Sequence, residues 1–142
     1  MLHLEHTFDA KTLNSLALAY MGDAVFEIYV RHRLLQKGFI KPNKLQKESI
    51  KYVSAKSQCY IIKSFISSQV LTDGEMAIVK RGRNAKSHSV PKNVDVQTYK
   101  YSTAFEALLG YHYLTANIER LEDLIEKSFA IIEKGKEVFH HG

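Results

Sequence analysis

The stretch LALAYMGDAVFEIYV, residues 16–30, decides the fold class, because its apolar residues recur at helical spacing. Intervals of three and four positions place side chains along one side of an α-helix. Thr12 is a residue type that caps helix starts, and Gly38 is one that ends them. The sequence therefore predicts a helix of about 25 residues between them. Its apolar series consists of Leu13, Leu16, Ala17, Tyr20, Ala24 and Ile28.

The helical period continues beyond this first helix. Pro42 and Asn43 are expected to open a second helix, because Asn43 and Gln46 have capping-box spacing. One apolar stripe then continues as far as Ile66, which predicts a single uninterrupted helix. The stripe consists of Leu45, Tyr52, Ala55, Cys59, Ile62 and Ile66, and it assigns the cysteine to the core.

A second capping-box pattern occurs at Thr72 and Glu75, and it predicts a short helix that Gly82 ends. Residues 82–96 lack helical periodicity, and we expect a long basic loop there. Asp95 lies near the end of this segment. A turn or a helix N-terminal role is favoured for it over metal binding, because a carboxylate is stabilised at the positive end of a helix.

Two more helices complete the predicted fold. The first runs from about Thr98 to Leu114, and the second is an amphipathic helix over about residues 117–135. No segment alternates apolar and polar residues in the pattern of a strand. We therefore expect an all-α fold of about six to seven helices, with residues 1–142 forming one domain.

The composition is that of an ordinary globular chain, with 45% hydrophobic and 25% charged residues. The N-terminal residues contain no apolar signal-peptide core, and no apolar run approaches the roughly 20 residues that span a bilayer. A single cysteine excludes an internal disulfide framework and suits a reducing compartment. We expect a cytoplasmic protein without a membrane partner.

The net charge of +5 is unevenly distributed along the chain. Residues 31–63 carry nine Lys and Arg against a single acid, Glu48. Residues 80–100 carry six against a single acid, Asp95, so the remainder of the chain is acidic. Two basic segments on an acidic body fit a polyanionic partner. On charge alone, two solvated helix faces explain the pattern equally well.

Two acids lie in strongly apolar surroundings, Asp23 in YMGDAVF and Glu106 in TAFEALL. A buried carboxylate that stays ionised needs a salt bridge, hydrogen-bond donors or a metal. Taken singly, each acid is more simply explained as a core carboxylate paired with an arginine such as Arg31 or Arg33. For Glu27, likewise, an ion pair with Arg31 four residues later is favoured over a role in orienting a water molecule.

Each of the two acids has a glycine close by, Gly22 directly before Asp23 and Gly110 one turn after Glu106. Glycine at position 22 would let another backbone or a ligand approach closely. Two such acids together with two basic segments favour a site for a hard cation. Mg²⁺ prefers oxygen ligands and binds through one or two carboxylates plus phosphate, where it activates the nucleophile of phosphodiester hydrolysis.

The order of three motifs resembles the catalytic domain of the ribonuclease III family, and within it the Mini-III branch. Residues 18–27, LAYMGDAVFE, are similar to the signature helix of the family. Residues 103–110, TAFEALLG, are similar to the second catalytic helix, whose glutamate falls on Glu106. KRGRNAKS, residues 80–87, is similar to a basic loop typical of the Mini-III branch. The resemblance covers roughly residues 12–116.

The resemblance implies an all-helical homodimer with the ribonuclease III endonuclease fold and one active site per subunit. Each site would cut one strand of double-stranded RNA and leave 5′-phosphate and 3′-hydroxyl ends. Asp23 and Glu106 would hold the metal, normally Mg²⁺, with Mn²⁺ as a substitute. The branch lacks the appended double-stranded-RNA-binding domain and is associated with maturing the ends of 23S ribosomal RNA precursors. A ribosomal protein is a further candidate partner.

Three positions depart from the pattern of full-length ribonuclease III enzymes. Those enzymes have acids where this chain has Leu16, Ala19 and Thr103, so only Asp23 and Glu106 remain of the acidic cluster. Fewer protein ligands imply a metal held largely by water and RNA phosphate. Whether the second subunit also supplies a ligand stays open. The choice between one metal and two also stays open.

RNA binding is expected to use the basic segments, because A-form RNA is recognised mainly through its shape, phosphates and 2′-hydroxyls. One group on the second helix would follow the RNA backbones. A second group, in the basic loop, would reach between them. The first group is Lys44, Lys47 and Lys51, and the second is Lys80, Arg81, Arg83, Asn84 and Lys86.

Two other functions compete with the enzyme hypothesis. One is a catalytically silent module of the same fold that binds double-stranded RNA, and retention of both Asp23 and Glu106 argues against it. The other is a helical interaction protein whose basic segments dock an acidic partner. That hypothesis leaves Gly22 and Asp23 unexplained.

Overall fold

The computed structural model describes residues 8–86 and 89–141, and that part of the chain contains six α-helices, one 3₁₀ turn and no strand. The prediction of an all-α fold is confirmed. None of these helices is long and apolar enough to cross a membrane. After the 3₁₀ turn Ala10–Thr12, the helices are α1 Ser15–Gln36, α2 Pro42–Val53, α3 Ala55–Ser67, α4 Asp73–Asn84, α5 Val96–Leu114 and α6 Ile118–His141.

Helix α5 forms the centre of the core, and α1, α3 and α4 pack around it. Its middle, residues 102–110, is buried at every position except Glu106. A helix that is apolar on nearly all sides must be surrounded by other elements. Phe105 illustrates this, since its ring meets that of Phe26 from α1 edge to face with centroids 5.0 Å apart.

The crossing of α1 and α5 depends on two glycines. A Cβ atom on Gly22 would lie 1.7 Å from the carbonyl oxygen of Glu106, and one on Gly110 would lie 1.9 Å from that of Leu18. The two backbones are therefore in direct contact at a distance that only glycine permits. The prediction that Gly22 admits a second backbone is confirmed.

Helix α1 begins later than predicted and turns a different side to the core. Thr12 ends the 3₁₀ turn, and Asn14 caps α1 by accepting a hydrogen bond from the Ala17 N–H at 2.9 Å. The helix ends near Gly38, as expected, with that glycine at a φ of 92°. The buried positions are Leu18, Ala19, Gly22, Val25, Phe26, Val30 and Leu34, whereas Leu16, Tyr20, Ala24 and Ile28 of the predicted apolar series are exposed.

The predicted single helix through Ile66 is wrong, because the chain forms two helices that meet at Ser54. Ser54 ends α2, and its side chain accepts a hydrogen bond from the Ser57 N–H to start α3. The apolar stripe continues across the break, which is why its period gave no sign of it. The predicted cap at Asn43 is also wrong: α2 begins at Pro42 after Lys41, which makes no side-chain cap. The assignment of Cys59 to the core is confirmed.

Helix α4 begins with the predicted capping box at Thr72 and Glu75, but it passes through Gly82 and ends at Asn84. A Cβ on Gly82 would lie 2.9 Å from the Cα of Ala104, so this glycine serves close packing on α5 rather than helix termination. The predicted basic loop is therefore shorter than expected. It spans residues 85–95, of which 87 and 88 lie outside the described part.

Two clusters of ion pairs attach α6 to the rest of the fold. In one, Glu133 accepts hydrogen bonds from Arg33 at 2.6 and 3.0 Å and from the Tyr52 hydroxyl at 2.8 Å. In the other, Glu75 accepts two from Arg120 at 2.8 and 2.9 Å and lies 2.6 Å from His112 Nε2. Each cluster joins three helices, because its members come from elements far apart in the chain.

Candidate metal centre and nucleic-acid interface

Asp23 of α1 and Glu106 of α5 line one open pocket of about 360 Å³. The glycine-mediated contact between the two helices brings them there, because Gly22 precedes Asp23 and lies against the backbone of Glu106. Asp23 is exposed, whereas Glu106 is partly buried. The rest of the pocket is formed by Leu16, Ala19, Tyr20, Tyr99 and Thr103.

The surroundings of Glu106 disfavour its negative charge when no cation is bound. Burial raises the pKa of Glu106, and the hydrogen bond and negative charge of the adjacent Asp23 raise it further, to about 9. With a pKa in that range, Glu106 favours its protonated form near neutral pH as long as no cation is bound. A hydrogen bond from Gln58 acts in the opposite direction and favours the ionised form of Glu106.

The alternative in which arginines neutralise these acids is not realised. Arg31 pairs with Glu27 at 3.3 Å, which confirms the ion pair expected for Glu27. Arg33 is committed to Glu133 at 2.6 Å. Asp23 and Glu106 are thus left facing each other at the pocket.

Three positions of the expected acidic cluster, Leu16, Ala19 and Thr103, line the same pocket without a carboxylate. Leu16 and Ala19 offer only carbon atoms, and the hydroxyl of Thr103 donates to the carbonyl of Tyr99 at 3.0 Å. Within residues 8–86 and 89–135, whose side chains the structure describes, no group of three or more His, Cys, Asp or Glu side chains is arranged to hold a metal. Asp23 and Glu106 are the two carboxylates that line the pocket.

Asp95 has the structural role that the sequence favoured. It is the N-cap of α5, and its carboxylate accepts a hydrogen bond from the Thr98 N–H at 3.2 Å. That bond satisfies one of the free donors at the helix start. Asp95 thereby fixes the start of the helix that carries Glu106.

A second pocket, of about 570 Å³, adjoins the first and shares Leu16, Tyr99 and Thr103 with it. Asn84 and Lys86 line this second pocket. Of the predicted RNA-binding residues, these two are the ones that the fold places beside the acid pair. Asn84 belongs to the last turn of α4 rather than to a loop, so its backbone position is fixed by the helix.

The other predicted RNA-binding residues lie on two helices. Lys44, Lys47 and Lys51 are exposed on α2, where Lys51 pairs with Glu48. Lys80 and Arg81 are exposed on α4. None of the five lines the acid pocket.

Arg83 differs from its neighbours because its guanidinium lies over the Tyr101 ring, 5.9 Å from the centroid. Lys63 of α3 lies over the same ring at 4.8 Å. Tyr101 thus makes cation–π contacts with two side chains from different helices. Lys63 was not singled out from the sequence, since only the packing of α3 and α4 on α5 brings it to Arg83.

Comparison with known proteins identifies the family. Residues 16–117 match the model of the ribonuclease III domain. A Mini-ribonuclease 3 from Streptococcus pneumoniae is 52% identical over 117 residues, which cover 82% of this chain and 91% of that protein. One from Staphylococcus aureus is 52% identical over 124 residues, with 87% and 92% of the two chains covered.

A solved structure shows the same fold. The X-ray crystal structure of a Fusobacterium nucleatum protein matches with a TM-score of 0.75 and 33% sequence identity. The match covers 92% of this chain and 99% of that chain. Taken with the matched domain and the similar relatives, it shows that this chain belongs to the ribonuclease III family of ribonucleases, in the Mini-ribonuclease 3 group.

Proposed function

We propose that this protein is an endoribonuclease that cuts double-stranded RNA by metal-assisted phosphodiester hydrolysis, with Asp23 and Glu106 as the ligands of the metal. The observation that carries the proposal is the meeting of these two acids from different helices in one open pocket. Membership of a ribonuclease family supports it further. The products are expected to carry 5′-phosphate and 3′-hydroxyl ends.

The donor set fits a hard divalent cation, Mg²⁺ normally and Mn²⁺ as a substitute. Both ligands are carboxylates. Burial and the neighbouring Asp23 raise the pKa of Glu106, and a cation between the two acids would stabilise their ionised forms. When bound, the metal supplies a hydroxide nucleophile and neutralises charge on the scissile phosphate. Asp23 and Glu106 would hold the metal in the pocket, whose open side leaves room for water and RNA.

Recognition of the duplex is assigned to the two basic groups. Asn84 and Lys86 adjoin the acid pocket and would contact the phosphates next to the cut. Lys80, Arg81 and Arg83 extend this contact along α4, and the three α2 lysines Lys44, Lys47 and Lys51 form a second line. Contacts of this kind read the backbone and the 2′-hydroxyls rather than the bases.

A homodimer is part of the proposal. The exposed apolar series on α1 supports it, since Tyr20 is 82% exposed and Ile28 57% exposed although both are large hydrophobic residues. Leu16 and Tyr20 also line the pocket of the acid pair, so a second copy on this face would border the site. Two such sites related by a two-fold axis would cut the two strands of one duplex.

The proposed natural substrate is the duplex formed by the ends of the 23S ribosomal RNA precursor, with a ribosomal protein as a candidate accessory partner. Incubating the protein with that precursor and with an unrelated duplex of equal length tests the assignment. Cleavage at discrete positions in the precursor stem supports it, whereas equal degradation of both would point to a less selective enzyme.

The test of the activity itself compares the wild type with Asp23→Asn and Glu106→Gln on duplex RNA in Mg²⁺. We expect cleavage by the wild type, no cleavage after addition of a chelator, and binding without cleavage by both variants. Each substitution removes one ligand charge and keeps the side-chain shape. If the wild type binds duplex RNA in Mg²⁺ and never cuts it, the silent binding module replaces the enzyme as the function.

A further inference from the structure

A buried glutamine from a third helix contacts the acid pair. Gln58 of α3 is 2% exposed, and its side-chain amide lies beside the Glu106 carboxylate, close enough to lower the pKa of that acid by donating to it. A buried amide is costly unless it is hydrogen-bonded, so a glutamine at this position needs a specific partner. Its neighbours along the inner face of α3 are Cys59, Ile61 and Ile62, which are apolar.

We infer that Gln58 is a positioning residue of the metal site, which holds the Glu106 carboxylate in the orientation that binds the cation. This inference rests on the proposed function, because it names a residue that acts through a proposed ligand. Gln58 itself is too deeply buried to touch RNA. It brings a third helix, α3, into a site otherwise built from α1 and α5.

The chemistry of the two groups supports this role. An ionised carboxylate has about four lone-pair sites, so one amide donor leaves sites for a cation. A donor from a fixed, buried position restricts rotation of the Glu106 carboxylate. Partners of metal ligands commonly orient them in this way, and losing one weakens metal binding by about 10–100-fold. The site has few acids, so the orientation of each one matters.

The test measures Mn²⁺ binding to the full chain without RNA, by the loss of the free-ion electron paramagnetic resonance signal. Gln58→Met keeps the length of the side chain and removes the donor, and Gln58→Leu is a second apolar replacement in case the first does not fold. We expect Mn²⁺ affinity to fall about tenfold or more. Binding of duplex RNA without metal should stay unchanged, because Gln58 does not reach the surface.

Cys59→Ala is the matched control, since it disturbs the same buried side of α3 one position away. It is expected to lower the unfolding temperature and leave Mn²⁺ affinity at the wild-type value. Gln58 variants that bind Mn²⁺ as tightly as the wild type would overturn the inference, as would an equal loss in Cys59→Ala. Asp23→Asn separates the two proposals: if it too binds Mn²⁺ normally, the metal site itself is wrongly placed.

Discussion

At the scale of single residues, the acid pair depends on the glycines beside it. Asp23 and Glu106 meet because α1 and α5 touch backbone to backbone at Gly22 and Gly110. Any side chain at either glycine would separate the helices and the two acids with them. The conformational freedom of glycine is secondary here, since both lie in regular helix, where glycine costs about 1 kcal/mol relative to alanine.

We expect Gly22→Ala to lower the free energy of unfolding by about 1–3 kcal/mol and to abolish cleavage. The added Cβ would lie 1.7 Å from the Glu106 carbonyl oxygen, a backbone atom that can yield only if α5 moves. Chemical denaturation measures the effect. Gly135→Ala in α6 is the control, because its added Cβ would meet no neighbouring element within 4 Å. It should gain about 1 kcal/mol from helix propensity, and a Gly22→Ala protein of wild-type stability would contradict the crossing described.

At the scale of elements, buried ion pairs decide how the last helix is attached. Burial raises the pKa of Glu75, but hydrogen bonds from Arg120, the Thr72 backbone and His112 outweigh it and lower the pKa to about 2. Burial also raises the pKa of Glu133, and its donors likewise bring it down to about 2. Both carboxylates are therefore ionised in the folded protein well below their usual pKa of 4.5.

This predicts a loss of stability in acid. A pKa that is lower in the folded state than in the unfolded state stabilises the fold above the unfolded value, and that stabilisation disappears as the pH falls through the folded value. The free energy of unfolding should thus decline as the pH falls from about 4.5 towards 2. Denaturant titrations across this range measure the decline.

Glu75→Gln should flatten that decline and cost about 3 kcal/mol at neutral pH, because it leaves buried donors without their charged partner. Glu27→Gln is the control, since its surface pair with Arg31 contributes about 1 kcal/mol or less. An unchanged acid profile in Glu75→Gln would show that other groups cause the decline.

The basic end of α4 yields a prediction on RNA binding. Each lysine or arginine that binds a phosphate releases counterions, so the slope of log affinity against log salt reports how many phosphates the protein neutralises. Neutralising Arg81, Arg83 and Lys86 should reduce that slope by about one for each phosphate that these side chains bind in the wild type. Filter binding at several salt concentrations measures it. Neutralising Lys127 and Lys134 on α6 should leave the salt slope unchanged. If both sets of substitutions reduce the slope equally, α4 is not the RNA-binding surface.

The sequence predicted most helices correctly, but not the breaks and contacts that long-range packing decides. The caps at Thr72 and Asp95 are local patterns, and both are confirmed. The break at Ser54 was missed because the apolar stripe keeps its period across it. The local pattern predicts that Gly82 ends a helix, because nothing in it reveals that α5 packs close by.

The candidate site was predictable to the same degree. Asp23 and Glu106 stood out as acids in apolar surroundings and by their motifs, and the fold places them in one pocket. Their role as metal ligands stays a prediction. Gln58 was missed, although a glutamine three positions after Ala55 and one before Cys59 interrupts the buried side of α3. Its partner could not be named before the packing of α3 on α5 was known.

At the scale of the whole molecule, one apolar side of α1 is exposed to solvent. Leu16, Tyr20, Ala24 and Ile28 form this exposed face, and the first two also line the pocket of the acid pair. Exposed apolar surface of this kind marks an interaction site. If a second copy covers it, the pocket becomes a cleft between two chains, and assembly and activity are linked.

We therefore expect the wild type to sediment at twice its chain mass of 16.3 kDa, and Tyr20→Glu to sediment as a monomer that no longer cuts duplex RNA. A carboxylate at a position that becomes buried in the dimer would have to be desolvated, whereas in the monomer it stays in water and leaves the core intact. Circular dichroism should accordingly show an unchanged helix content. Tyr60→Glu on α3 is the matched control, because Tyr60 is also an exposed tyrosine but lies outside the α1 face. A dimer that survives Tyr20→Glu and dissociates with Tyr60→Glu would move the interface to α3.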